Sequence, residues 1–187
     1  RVRNVFDFLI PEFVPQEAKE HVIAFSPTAT HSHLSRWSDK GEPETLIILQ
    51  EIQAEYPHVK IDLIKGVPWK DAIQRKRRAA IVIDECKTGS FHLSGLEGLA
   101  LGKVTLCHLN DDVRDAMLQA SGSDVVPFHN VSLSDLKDAL RTLVSHTLST
   151  LHEMGMRNRA WMERHWHPRD VAKEFEGIYE NIYKSWH

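Results

Sequence analysis

The sequence predicts one α/β domain in which a parallel sheet is covered by helices on both faces. Three observations carry this expectation. Short runs rich in Val and Ile recur along the chain without polar alternation, as in strands buried on both faces. The segments between them place apolar residues at helical spacing. Run and helix then alternate, the pattern of parallel strands joined by helical crossovers. With 187 residues, the chain has the length of one domain that builds its own core.

Each element has its own signal. Arg1 to Glu20 carries Pro11 and Pro15 with mixed polarity and reads as a lead-in, so the domain is assigned to residues 21–187. The first strand is His21–Ser26, followed by Pro27 and a long polar loop to Gly41. Thr45–Glu55 places Leu46, Leu49 and Ile52 on one helical face. Val59–Ile64 is the second strand, ending at Gly66 and Pro68, and Pro68–Arg78 is a short, basic, amphipathic helix. Ala79–Asp84 is the third strand. His92–Leu101 is a helix with Leu93, Leu96 and Ala100 on one stripe. Lys103–His108 and Asp124–Phe128 complete the strands. Ser132–Asp135 resembles a capping box before a helix carrying Leu136, Leu140, Leu143 and Val144. A C-terminal helical extension begins near residue 150. Its last helix starts at Pro168 and shows Val171, Phe175, Ile178 and Ile182, and Trp161, Trp166 and Phe175 are expected to bury the pair. The result is a Rossmann-like sheet of roughly five or six strands.

Composition excludes several classes. A 42% apolar, 26% charged chain is ordinary globular protein. The formal charge of −3 argues against a nucleic-acid binder. Cys86 and Cys107 are too few for a disulfide framework and read as reduced thiols in a reducing compartment, so a cytoplasmic location is expected. No run approaches the roughly 20 apolar residues of a membrane span, and no signal-peptide pattern opens the chain. Because the first residue is Arg1, the sequence is expected to be a piece of a longer protein. Arg75, Lys76, Arg77 and Arg78 read as a solvated helix end, with contact to an anionic membrane surface as the alternative use. The pairs His31/His33 and His165/His167 lack metal-ligand spacing, so no metal site is expected.

In open α/β sheets ligands bind beyond the carboxyl ends of the strands, near helix N-termini. The loop Glu85–Ser90 and the helix it feeds are the most informative such place. Ser90, Ser94 and Glu97 form a polar stripe, set apart from Leu93, Leu96 and Ala100. Gly89 permits close backbone approach just before the helix start, where free N–H groups favour an anion. The stripe reads either as a ligand-facing surface, on which Glu97 could meet hydroxyls such as those of a ribose, or as a solvated polar face, and in both readings removal of Glu97 is expected to leave the protein folded.

The stretch IVIDECKTGSFHLSGLEGLALGKVTL, Ile81 to Leu106, resembles the nucleotide-sugar signature of the GT-B glycosyltransferases, family 4 in particular. Asp84, Gly89, Glu97, Ala100, Gly102 and Lys103 match that family's pattern of a strand-end aspartate, a glycine-containing loop, and Glu-Ala-Met-Ala-x-Gly-Lys-Pro-Val. Asn4–Phe13 resembles the inter-domain segment, Lys40-Gly41 the Lys-Gly after the first strand, and the region from Met162 the C-terminal helix pair. The resemblance implies one half of a GT-B fold and a donor site for a nucleotide sugar, UDP- or GDP-linked. Glu97 would bind the ribose hydroxyls. Lys40 and Arg36 would neutralise the diphosphate leaving group. The backbone from Ser90 through Phe91 and His92 to Ser94, with Gly89, would contact the phosphates and sugar. Val67 and Pro68 would line the base.

The implied activity is sugar transfer, retaining and hexosyl, with no metal or other cofactor and with the acceptor site on a missing N-terminal domain. Isolated, this chain is expected to bind nucleotide but to transfer sugar very slowly. The sequence departs from the family where Gly89 replaces a common glutamate and where Val104 replaces the proline after Gly-Lys. A non-catalytic sugar-nucleotide-binding or interaction module with the same fold is the alternative, and a sugar-nucleotide epimerase is a third reading.

Overall fold

The computed structural model describes residues 3–27 and 41–186. Five strands, β1 (Val22–Phe25), β2 (Lys60–Leu63), β3 (Ile81–Ile83), β4 (Val104–Cys107) and β5 (His129–Asn130), form one sheet in the order β2-β1-β3-β4-β5. Every pairing is parallel, with Ile23 level with both Ile61 and Ile81. The chain moves outward from β1 to β2, returns past β1 to β3, and then continues the other way. That reversal makes the carboxyl ends of β1 and β3 the topological switch point, where such sheets hold ligands.

Helix α1 (Glu42–Glu55) and helix α5 (Leu136–Val144) cover one face, burying Leu49, Ile52, Leu136, Leu140 and Leu143 against Phe25, Ile81 and Leu106. Four helices lie toward the other face: α2 (Trp69–Arg78), α3 (Leu93–Ala100), α4 (Asp111–Ser121) and the start of α7 (Pro168–Ser185). Helix α6 (Leu148–His165) runs from the first core to the second, giving Leu151 to one and Trp161 and Met162 to the other. Trp161 and Trp166 stack at 5.9 Å and are buried, as expected, and Phe175 packs against the same cluster. Ile178 and Ile182, expected on the same stripe, are exposed.

Further expectations change. The fifth strand is His129–Asn130 and not Asp124–Phe128. Pro127 has no N–H to give a ladder, and Val126 and Phe128 pack into the cluster around Trp161 and Trp166 instead. Helix α4 carries too little apolar surface to announce itself, since Met117 is its only buried residue. On α3, Leu93 is 52% exposed and Leu99 takes its place in the core. The start of α5 also differs from a capping box: Ser132 Oγ donates to the Asp135 carboxylate at 2.5 Å.

The lead-in is docked along the α2/α3 side. Phe6, Phe8 and Phe13 are buried there. Arg159 of α6 donates from Nη1 to the carbonyls of Phe8, Phe13 and Ala100 at 3.3, 3.2 and 2.5 Å, with its guanidinium 4.7 Å from the Phe8 ring centroid. Lys103 Nζ donates to the Gln16 carbonyl at 2.5 Å. Burial, and then the nearby Arg77, lower the Lys103 pKa from 10.5 to about 8.

That depressed value fixes the sign of a pH effect. Between about pH 8 and 10.5 the unfolded chain holds a proton at Lys103 that the folded chain has given up, so stability rises with pH across that window. Measured by urea unfolding, the parent is expected to gain on the order of 2–3 kcal/mol relative to Lys103→Met across it. An unchanged difference between the two proteins would show that Lys103 carries an ordinary ammonium. None of the described helices is long and apolar enough to cross a membrane.

Candidate functional site

Beyond β3 the chain places two carboxylates in sequence, and both are fully buried. Buried carboxylates need donors, and the following loop supplies them. Glu85 accepts the amides of Lys87 at 2.9 Å, Thr88 at 2.7 Å and Ser90 at 3.4 Å, and the Thr88 hydroxyl at 2.5 Å. Asp84 accepts the amide of His92 at 2.6 Å. Strand end, loop and helix start are therefore wound around these two side chains. Gly89, at φ +80°, sits against Asn110, where an added Cβ would stand 3.1 Å from the Asn110 Cβ. Its carbonyl accepts the Asn110 amide at 3.0 Å, so the glycine serves the packing of this loop on the β4–α4 connection.

The start of α3 is consequently less open than its sequence suggests. The amides of Ser90 and His92 already bond to Glu85 and Asp84. The His92 carbonyl takes the amides of Gly95 and Leu96, which leaves those of Leu93 and Ser94 without an acceptor inside the helix. Phe91 turns its ring toward Phe128 and Trp166, at 5.7 and 6.2 Å between centroids.

Glu97 is the largest correction. It is 5% exposed and does not lie on a solvated stripe. Lys76 Nζ donates to its Oε2 at 2.6 Å, and Trp69 Nε1 donates to its Oε1 at 2.9 Å. The same Lys76 ammonium reaches Ser94 Oγ at 2.9 Å. Lys76 is itself 2% exposed, so it is no part of a solvated or membrane-facing basic run. Its neighbours do not form a continuous patch either. Arg75 pairs with Asp62 and donates to the Leu63 carbonyl, Arg77 is half-buried, and Arg78 is exposed. The helix turns these four cations in different directions, and only one of them meets Glu97.

Of the other assigned residues, Val67 packs against the small cluster of Ala24, Ile64, Ala79 and Val82, while Pro68 is exposed immediately before Trp69. Arg36 and Lys40 lie outside the described residues, as do His31 and His33. Gly41, the first described residue after that segment, would carry a Cβ 3.1 Å from the Lys87 side chain. His165 Nδ1 lies 3.2 Å from the Ser121 carbonyl, and His167 caps α7 by accepting the Arg169 amide at 3.3 Å. Cys86 and Cys107 are buried thiols, pushed up first by burial and then by Glu85 and Asp84 nearby, so neither is a ready nucleophile.

The site thus brings together Asp84, Glu85, Gly89, Ser90, His92, Ser94 and Glu97 at the switch point, and adds Lys76 and Trp69 from α2. The five-stranded parallel sheet of this order, with helices on both faces, is the fold of the C-terminal domain of GT-B glycosyltransferases. No protein-family model matches the chain, and no curated protein does. Among solved structures it is similar to the C-terminal domain of the group 1 glycosyltransferase LpcC from Francisella tularensis. There the TM-score is 0.54 at 14% identity, covering 87% of this chain and 92% of that one. It is also similar to a mutant of S. aureus TarM solved in complex with fondaparinux, α-GlcNAc-glycerol and UDP, with TM-score 0.59 at 10% identity. That match covers 95% of this chain and 38% of TarM.

Proposed function

We propose that this chain is the donor-binding domain of a glycosyltransferase, which holds a nucleoside-diphosphate sugar at the carboxyl ends of β1 and β3 for transfer to an acceptor carried by a second domain. The observation that carries the reading is the position of Glu97. It stands on the helix that starts at the switch point, in a domain with the GT-B fold. In this reading the Glu97 carboxylate accepts hydrogen bonds from the ribose hydroxyls. The phosphates meet the start of α3, where the amides of Leu93 and Ser94 and the helix dipole favour negative charge. Lys40 and Arg36 neutralise the departing diphosphate, so the charge that grows in the transition state is met by cations already in place. Val67 and Pro68 line the base. The transfer is of a hexose with retention, and it needs no resident metal.

The reading is tested by calorimetric titration of the intact chain with UDP, with GDP, and with their 2′-deoxy counterparts. One of the two ribonucleotides is expected to bind. A hydrogen bond to a charged group is worth about 1.5–3 kcal/mol, so loss of the 2′-hydroxyl is expected to weaken binding at least about tenfold. Equal affinity for ribo and deoxy forms, or no binding of either nucleotide, overturns the donor-site assignment. Sugar transfer by this chain alone is expected to be very slow, since positioning and water exclusion require the opposing domain.

A further inference from the structure

Trp69 donates to Glu97 from an exposed position. Trp69 is 43% exposed, whereas Glu97 is 5% and Lys76 2% exposed. The two carboxylate oxygens are divided between these neighbours, with the buried ammonium on Oε2 and the indole N–H on Oε1. The Lys76 side is closed by the protein, because that ammonium also holds Ser94 and sits inside the α2–α3 contact. Of these two neighbours Trp69 is the exposed one, so a ligand from solvent meets Glu97 on the Trp69 side. There it finds a hydrogen-bond donor already in the seat, 2.9 Å from Oε1. The indole belongs to the first residue of α2, directly after Pro68, and its other neighbour is Phe13 of the lead-in at 6.0 Å between centroids. One side-chain rotation at a helix start releases it without disturbing a core.

We infer that Trp69 is a gate on the ribose seat: its indole N–H stands in for a ribose hydroxyl in the ligand-free protein, and nucleotide binding exchanges one donor for the other. This rests on the donor-site reading above. The exchange keeps Glu97 satisfied in both states, so the buried carboxylate never lacks a donor while the site waits. It also sets the affinity, because every nucleoside that binds first displaces a charge-assisted hydrogen bond.

Trp69→Phe keeps the ring and removes the N–H, which separates the gate from a simple contact. In calorimetric titrations with UDP and GDP, this variant is expected to bind the preferred nucleotide roughly three- to tenfold more tightly than the parent, since no indole bond has to be broken. In ¹H–¹⁵N spectra of the parent, the indole signal missing from Trp69→Phe, one of five tryptophan signals, is expected to move when that nucleotide saturates the protein. Inorganic phosphate should leave it in place. Weaker binding by Trp69→Phe, or an indole signal unmoved by bound nucleotide, overturns the gate and leaves Trp69 as a permanent partner of Glu97, with the donor site intact. If the parent binds neither nucleotide, the donor-site reading falls and the gate falls with it.

Discussion

Glu97→Ala is expected to cost the domain about 3–5 kcal/mol of stability, the usual consequence of removing one member of a buried ion pair. The cost is not the lost attraction, since two desolvated charges roughly offset their own burial. It is the ammonium left behind. Lys76 is 2% exposed, and its remaining partner is the neutral Ser94 hydroxyl at 2.9 Å. For a domain whose whole stability is typically about 5–15 kcal/mol, this change reaches the edge of unfolding.

A double variant separates the two causes. Lys76→Met combined with Glu97→Leu removes both charges and fills similar volume, so it is expected to recover most of the loss, even though Trp69 then gives up its acceptor at a half-open position. Urea unfolding, read as a shift in midpoint at constant m, measures both proteins. If Glu97→Ala loses less than about 1 kcal/mol, the pair is not held as described, because an exposed pair is worth no more than that. The same result would return Glu97 to the solvated stripe on which its sequence spacing places it.

Why the spacing misleads here is instructive. A polar stripe at three- and four-residue intervals says that Ser90, Ser94 and Glu97 share a face, and Ser94 and Glu97 do share one, toward Lys76. It does not say what covers that face. The signal for the cover lay in α2: Trp69, Ile73 and Lys76 stand at i, i+4 and i+7, so Lys76 continues an apolar face instead of ending a basic run. The block of four cations, Arg75 to Arg78, masks that face in the sequence.

The fold was legible wherever burial on both faces forces an apolar run, and β1, β3 and β4 all lie inside the predicted segments. β2, at one edge of the sheet, also lies inside its predicted segment, but the β5 edge was not legible. There two residues suffice for β5, and the Asn130 side chain does part of the pairing by accepting the Leu109 amide at 2.8 Å and donating to its carbonyl at 3.2 Å. Glu85 left no signal at all. Its role comes from four donors within the next five residues, and any polar loop offers those.

Gly155→Ala is expected to destabilise the domain by about 2 kcal/mol or more, against the sign that helix propensity alone gives. Within an exposed helix, glycine to alanine stabilises by about 0.5–1 kcal/mol, because the unfolded chain loses freedom it would otherwise keep. At position 155 a Cβ would stand 2.0 Å from the Gly102 carbonyl oxygen and 2.9 Å from the Lys103 Cα. Both are backbone atoms, so no side chain can rotate away and α6 as a whole must lift. Overpacking of this kind costs about 1–3 kcal/mol, and more where the backbone cannot yield. Here α6 is also tied down nearby, by Asn158 Nδ2 donating to the Lys103 carbonyl at 3.0 Å and by Arg159 on three carbonyls.

Gly177→Ala in α7 is the matched control, since a Cβ there meets nothing within 4 Å. It is expected to gain about 0.5–1 kcal/mol. Thermal and urea unfolding of the two variants should therefore move in opposite directions from the parent. A Gly155→Ala protein as stable as the parent would mean that α6 does not pass so close to the turn between α3 and β4, and the hold of Arg159 on the lead-in would lose its geometric basis.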